Sequence, residues 1–204
     1  MADVTTLRTL AGLPAAPASL AHSTLILIDC QNTYTRGVLA LDGVEAALDE
    51  AAALLDRARS AGIPIIHIQH DDGPGSLYDI QGVSGAIVSR VVPRAGESVV
   101  VKNYPNSFVA TDLEQRLRAG SAENLVIAGF MTHMCVNSTA RGAFNLGFAP
   151  TVVAGATATR ALPASVKATG SDAVVPASAM QAASLAAISD LFAIVVPDTG
   201  ALPD

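Results

Sequence analysis

Cys135 closes the segment Gly129-Phe130-Met131-Thr132-His133-Met134-Cys135, where a strand-like run gives way to helical spacing. Upstream, Glu123-Asn124-Leu125-Val126-Ile127-Ala128 reads as a strand; downstream, Val136, Ala140 and Phe144 recur at helical intervals. A thiol placed there faces the unpaired N–H groups of a helix start, which favour its thiolate. The same N–H groups can receive an oxyanion if that thiolate attacks a carbonyl. Such a nucleophile needs a base to take its proton and a positive charge to hold the anion. Asp29, ending the apolar run Thr24-Leu25-Ile26-Leu27-Ile28, supplies a carboxylate, and Lys102, directly after Ser98-Val99-Val100-Val101, supplies an ammonium. Lysine occurs only twice, at 102 and 167, so Lys102 is not one member of a surface coat. Singly, each residue reads as ordinary: a loop cap, a solvated strand end, an inert core thiol. Together, at three strand ends, they point to a cysteine nucleophile with its base and counter-charge.

The elements that must position them alternate. Strands are expected at Thr24–Ile28, Ile65–Ile68, Ser98–Val101, Leu125–Ala128, Thr151–Ala154 and Phe192–Val196. Between the first two, Val44, Ala47, Leu48, Ala51, Leu54, Leu55 and Ala58 follow helical spacing, with Gly62 as the stop. Thr111-Asp112-Leu113-Glu114 has capping-box spacing and opens a helix that closes at Gly120; a last helix runs through Met180, Leu185 and Ile188. This order predicts an α/β fold: three α/β/α layers around a mostly parallel, Rossmann-like six-stranded sheet. In such sheets ligands bind beyond the carboxyl ends of the strands. Asp29, Lys102 and Cys135 all lie there.

Length and composition fit a single domain over residues 1–204, with 1–21 as an N-terminal arm. Gly12, Pro14 and Pro17 break any apolar core in that arm, so it reads as packing segment and not as a secretion signal. Net charge is −6 and no basic stripe exists, which argues against nucleic acid; no apolar run is long enough to span a bilayer. Half the residues are hydrophobic and mean hydropathy is +0.43. That surplus predicts a homodimer or larger homo-oligomer. Two cysteines at unrelated positions make no disulfide framework and fit a cytoplasmic protein.

The chain resembles the cysteine hydrolases of the isochorismatase-like family, relatives of nicotinamidases and N-carbamoylsarcosine amidases. The matching stretches are Leu27-Ile28-Asp29-Cys30-Gln31-Asn32, Pro93 through Lys102, Asn106-Ser107-Phe108, and Gly129 through Arg141. The resemblance implies an Asp29-Lys102-Cys135 triad, attack on an amide-type carbonyl of a small molecule, a thioester intermediate and hydrolysis by water. It also implies a cis peptide between Phe130 and Met131, turning the N–H of Met131 toward that of Cys135 to form an oxyanion hole. Nicotinamidases carry an Asp-x-His metal site after the second strand. Here the matching stretch is His70-Asp71-Asp72, which reads as a turn lining the pocket, so no metal and no cofactor is expected.

Gln31 and Tyr34 are expected at the pocket mouth, and Phe108 and Phe130 as pocket walls beside His70. His133 invites a Cys-His dyad, but neighbours at a helix start point apart, which leaves Asp29 as base. Two rival readings stand beside the amidohydrolase. One is a vinyl-ether hydrolase of a small carboxylated metabolite, with Asp29 as acid and few cations beyond Arg36 and Lys102 to hold its substrate. The other is a thiol sensor or binding module whose Cys135 is oxidised but never acylated.

Overall fold

In the computed structural model, which describes residues 4–164 and 173–204, the six expected runs pair into one sheet. Lys167 lies outside the described residues. The strands are β1 (Ser23–Ile28), β2 (Ile65–His70), β3 (Ser98–Lys102), β4 (Asn124–Phe130), β5 (Ala149–Ala158) and, last in the chain, β8 (Ile194–Val196). Their spatial order is β3-β2-β1-β4-β5-β8, and every neighbouring pair is parallel. A separate antiparallel pair, β6 (Leu162–Pro163) and β7 (Val174–Val175), has no counterpart in the sequence reading.

All six residues of β1 are buried, as a parallel strand covered on both faces requires. Its side chains alternate between two cores. Leu25 and Leu27 pack with Leu48, Leu54 and Leu55 of helix α2 (Val44–Ala61), while Ile26 and Ile28 pack with Leu113 and Leu117 of α3 (Leu113–Ala119). Ala140 and Ala143 of α4 (Asn137–Asn145) and Ile188 of α5 (Ala177–Ser189) complete that second core. The buried face of α2 is the seven residues that the helical spacing singles out, and Gly62 closes it in the left-handed conformation (φ 67°).

Three boundaries differ from expectation. α3 begins at Leu113, because Thr111 turns its hydroxyl back to the carbonyl of Ser107 (2.6 Å) and leaves Asp112 at the cap. β8 begins only at Ile194, because the N–H groups of Phe192 and Ala193 both close the end of α5 on the carbonyl of Ile188. β5 runs to Ala158, past a register shift against β4. That shift falls at Gly129 (φ 113°), where a Cβ would lie 2.0 Å from the carbonyl oxygen of Ile28. Only glycine lets β1 and β4 approach this closely beneath the site.

The N-terminal arm packs on its own chain. Arg8 donates to the carbonyls of Pro14 (2.8 Å) and Leu191 (3.0 Å), and Leu20 donates to Pro203 (2.8 Å). Among the described residues no helix is long and apolar enough to cross a membrane.

The start of β3 is tied to β2 and α2 by one carboxylate. Glu97 accepts from Nε and Nη2 of Arg59 (2.7 and 3.0 Å) and from the N–H of Arg94 (2.9 Å), and meets His67 Nε2 (2.8 Å). These bonds, Arg59 first, hold its pKa at about 2, below the usual 4.5. A depressed carboxylate stabilises the fold above its unfolded pKa and loses that contribution as pH falls through its folded one. Glu97→Gln is therefore expected to cost about 2–3 kcal/mol at neutral pH. The gap from wild type should close as pH falls from about 4.5 toward 2. Denaturant unfolding at pH 7 and pH 3 measures both gaps; equal gaps would show that packing, not charge, is what Glu97 supplies.

Candidate active site

The chain runs outward from β1 through β2 to β3, then returns to lay β4 on the other side of β1. In parallel sheets of this order, ligands bind at the switch point between β1 and β4, where the loops beyond the strand ends diverge. Asp29 follows the last residue of β1 and Cys135 follows β4, so topology alone brings carboxylate and thiol together. Lys102, the last residue of β3, reaches across β2 to join them. Asp29 holds a left-handed backbone conformation (φ 49°), uncommon for a residue with a Cβ and typical of sites where surrounding structure dictates the turn.

The Phe130–Met131 peptide is cis, as the resemblance implies. Beyond it the chain makes a wide π-helical turn, Thr132–Val136, before α4. The N–H groups of Met134 and Val136 both bond the carbonyl of Met131 (3.0 and 3.2 Å), which wraps the first turn around the residue that carries the thiol. Cys135 is 5% exposed, and Asp29 and Lys102 are 0% and 1% exposed.

Lys102 Nζ is the hub. It lies 2.7 Å from Asp29 Oδ2, 3.4 Å from Cys135 Sγ and 3.0 Å from His70 Nδ1. The contact with Asp29 is a fully buried ion pair at hydrogen-bond distance, and the same ammonium also donates to the sulfur and meets the imidazole.

Burial raises the proton affinity of Asp29 even though Lys102 opposes it. Cys135 is pushed up to about 12, first by burial and then by the negative charge of Asp29, which together outweigh Lys102. The sequence expectation that helix start and lysine favour a thiolate is corrected here. At rest the site holds a thiol beside a carboxylate of raised proton affinity. Cys30 is raised further still, by burial and by Asp29.

The other singled-out residues divide. His70 lies in the site: Nδ1 meets Lys102, Nε2 lies 2.9 Å from Asp72 Oδ1, and its ring packs edge-on against Tyr78. Tyr34 and Phe130 are buried beside it with ring centroids 5.8 Å apart. Gln31 is not at the mouth but fully buried: its amide exchanges two hydrogen bonds with the backbone of His70 and donates to the carbonyl of Gly85. Tyr34, 1% exposed, is likewise wall and not mouth. Phe108 stacks on Phe148 at 6.0 Å, on the α3–α4 side. His133 turns away from the thiol to Thr159 (2.6 Å).

Tyr78 is the residue that sequence reasoning missed. Its hydroxyl lies 3.2 Å from that of Tyr34, and its ring packs edge-on against both Tyr34 and His70. The available signal was modest: Tyr78 is the sole aromatic residue in the Gly- and Asp-rich stretch from 71 to 85. That stretch does not fit a metal site of the nicotinamidase type, because its polar atoms have other partners. His70 has Lys102 and Asp72, and Asp71 Oδ1 accepts from the N–H of Gly73.

The isochorismatase domain model matches residues 23–197. The chain belongs to the isochorismatase family. A crystal structure of an isochorismatase from Pseudomonas putida KT2440 superposes with a TM-score of 0.92 at 38% identity, covering 98% of this chain and 100% of that one. A secreted isochorismatase effector from Verticillium dahliae is 33% identical over 93% of this chain and 95% of its own length. A maleamate amidohydrolase from Pseudomonas putida is 32% identical over 63% of this chain and 68% of its own. The chain is thus an isochorismatase-family hydrolase, and its six-stranded α/β fold matches the family's solved structures.

Proposed function

We propose that this chain is a cysteine amidohydrolase that cleaves the C–N bond of a small amide through a thioester on Cys135. One observation carries the reading: a buried thiol, carboxylate and ammonium converge at the β1/β4 crevice, with the ammonium touching both other groups. The resemblance to an amidohydrolase supports the amide class.

Cys135 Sγ attacks the carbonyl carbon while its proton passes to Asp29, and the carbonyl electron pair becomes an oxyanion received by the N–H groups of Met131 and Cys135. Lys102 offsets the negative charge on sulfur and carboxylate. As the oxyanion collapses, the C–N bond breaks and Asp29 returns the proton to the leaving nitrogen. Water then gives a proton to Asp29 and adds its oxygen to the thioester. The C–S bond breaks, the acid departs, and Asp29 reprotonates Sγ. Tyr34, Tyr78, His70 and Phe130 give the pocket an aromatic lining that suits a small planar substrate.

Intact-mass analysis after rapid quench with a panel of small amides tests this. An acyl increment on Cys135 is the expected result; amide turnover without any adduct would mean direct attack by water, and cleavage of a vinyl ether with no amide turned over would favour vinyl-ether chemistry with Asp29 as acid. Oxidation of Cys135 without acylation would favour the thiol sensor.

We also propose a homo-oligomer. The edge strand β3 leaves Val99 and Val101 partly exposed, 39% and 43%, and a second copy would cover them. Light scattering at micromolar concentration should report more than the 20.7 kDa of one chain; a clean monomer would sink the idea.

A further inference from the structure

An ammonium group carries three protons, and one removed from water needs an acceptor for each. Lys102 is 1% exposed, so its protons must all be met inside the protein. Asp29 and Cys135 meet two of them and are the groups on which the proposed chemistry acts. The third is met by a neutral ring: His70 Nδ1, at 3.0 Å. Because the ammonium can only donate, Nδ1 must accept, so the ring proton sits on Nε2. There it meets Asp72 Oδ1 at 2.9 Å, a carboxylate about half exposed that fixes this tautomer. The backbone is held as tightly as the ring. Gln31 accepts from the N–H of His70 and donates to its carbonyl, and Tyr78 packs edge-on at 4.7 Å.

We infer that His70, with its tautomer set by Asp72, is the positioning residue for Lys102. It supplies the uncharged third acceptor that keeps the ammonium aimed at Asp29 and Cys135. A carboxylate in its place would add a second negative charge beside the thiol and make it harder to ionise. An apolar side chain would leave one buried N–H without a partner, and the lysine would turn away from the thiol to find one. A neutral acceptor avoids both. This rests on the role proposed above for Lys102, but it concerns a measurable property of Cys135 that needs no substrate.

The test reads the thiolate through its rate of alkylation by iodoacetamide at pH 8, with Cys135 identified by mass. It is done on an Asp29→Asn background, so that Lys102 is the one charge acting on the thiol. Adding His70→Phe, which keeps a ring against Tyr78 but removes the acceptor, should slow alkylation of Cys135 by about tenfold or more. Adding His70→Asn instead, whose amide oxygen can take the place of Nδ1, should keep the rate within about threefold of the background. Unchanged alkylation in the Phe variant overturns the inference. So does an Asn variant as slow as Phe, because ring packing would then be what matters. If Cys135 forms an acyl adduct with amides but His70→Phe leaves alkylation unchanged, only this inference fails. If His70→Phe slows alkylation but no adduct ever forms, the amidohydrolase reading fails and the positioning of Lys102 stands.

Discussion

Cys135→Ala is expected to abolish amide hydrolysis, with a loss on the order of 10³-fold or more, while the protein unfolds at nearly the wild-type midpoint. The two halves of that expectation come from different features. Activity depends on sulfur because neither Asp29 nor His70 stands where it could form a covalent acyl intermediate in place of the thiol. Stability is nearly indifferent because the side chain is small and its polar neighbours, Lys102 and Asp29, remain paired with each other without it. The acyl increment seen by mass on the wild type should be absent from the variant. Cys30 offers no substitute: it is 2% exposed and its thiol lies behind Asp29, against the carbonyl of Ile28. Retained turnover in Cys135→Ala, or an adduct that maps to Cys30, would contradict the assignment of the nucleophile.

The architecture was legible because each core strand is apolar on both faces and each helix wears its buried face at regular spacing. Val44 to Ala58 illustrates this, since every expected buried position of α2 is buried. The three strand-end residues were legible for a related reason: in a parallel sheet, strand ends of one polarity share one edge. Less was readable where a side chain serves backbone instead of ligand. Gln31 stands two residues after the base and resembles a pocket residue in sequence, yet its amide holds the backbone of His70 and the loop at Gly85. Nothing in composition separates those roles. The state of the thiol was misread because the sequence shows the attraction of a helix start and a lysine but not the burial that opposes them. Burial is the largest effect on Cys135, and it reverses the sign. Tyr78 went unnoticed because its partner Tyr34 lies 44 residues earlier in the chain, a contact only the fold creates.

Asp29→Asn is expected to make Cys135 more reactive toward iodoacetamide and less able to hydrolyse an amide. In the resting site the carboxylate raises the thiol by its charge and by its hydrogen bond, while Lys102 lowers it. Replacing the carboxylate with an amide of the same shape leaves Lys102 unopposed, so the thiol pKa falls from about 12 and the alkylation rate at pH 8 should rise, by about tenfold or more. Turnover should nevertheless drop by roughly 10²-fold or more, because nothing remains to carry the proton from sulfur to the leaving nitrogen and back. Lys102→Ala alone is a poorer probe of charge: it strands a buried carboxylate whose proton affinity is already raised, so Asp29 takes up a proton and both neighbours of the thiol go silent together. Its effect is better read in the Asp29→Asn background, where adding Lys102→Ala should cancel the gain in alkylation. The two measurements then move apart in a way that loosened packing cannot imitate, since a more open site would speed alkylation in both variants alike. If Asp29→Asn slows alkylation, or if it keeps full turnover, Asp29 is not the base. If adding Lys102→Ala leaves the fast alkylation in place, the ammonium between Asp29, His70 and Cys135 does not act on the sulfur, and the triad reduces to a thiol beside a carboxylate.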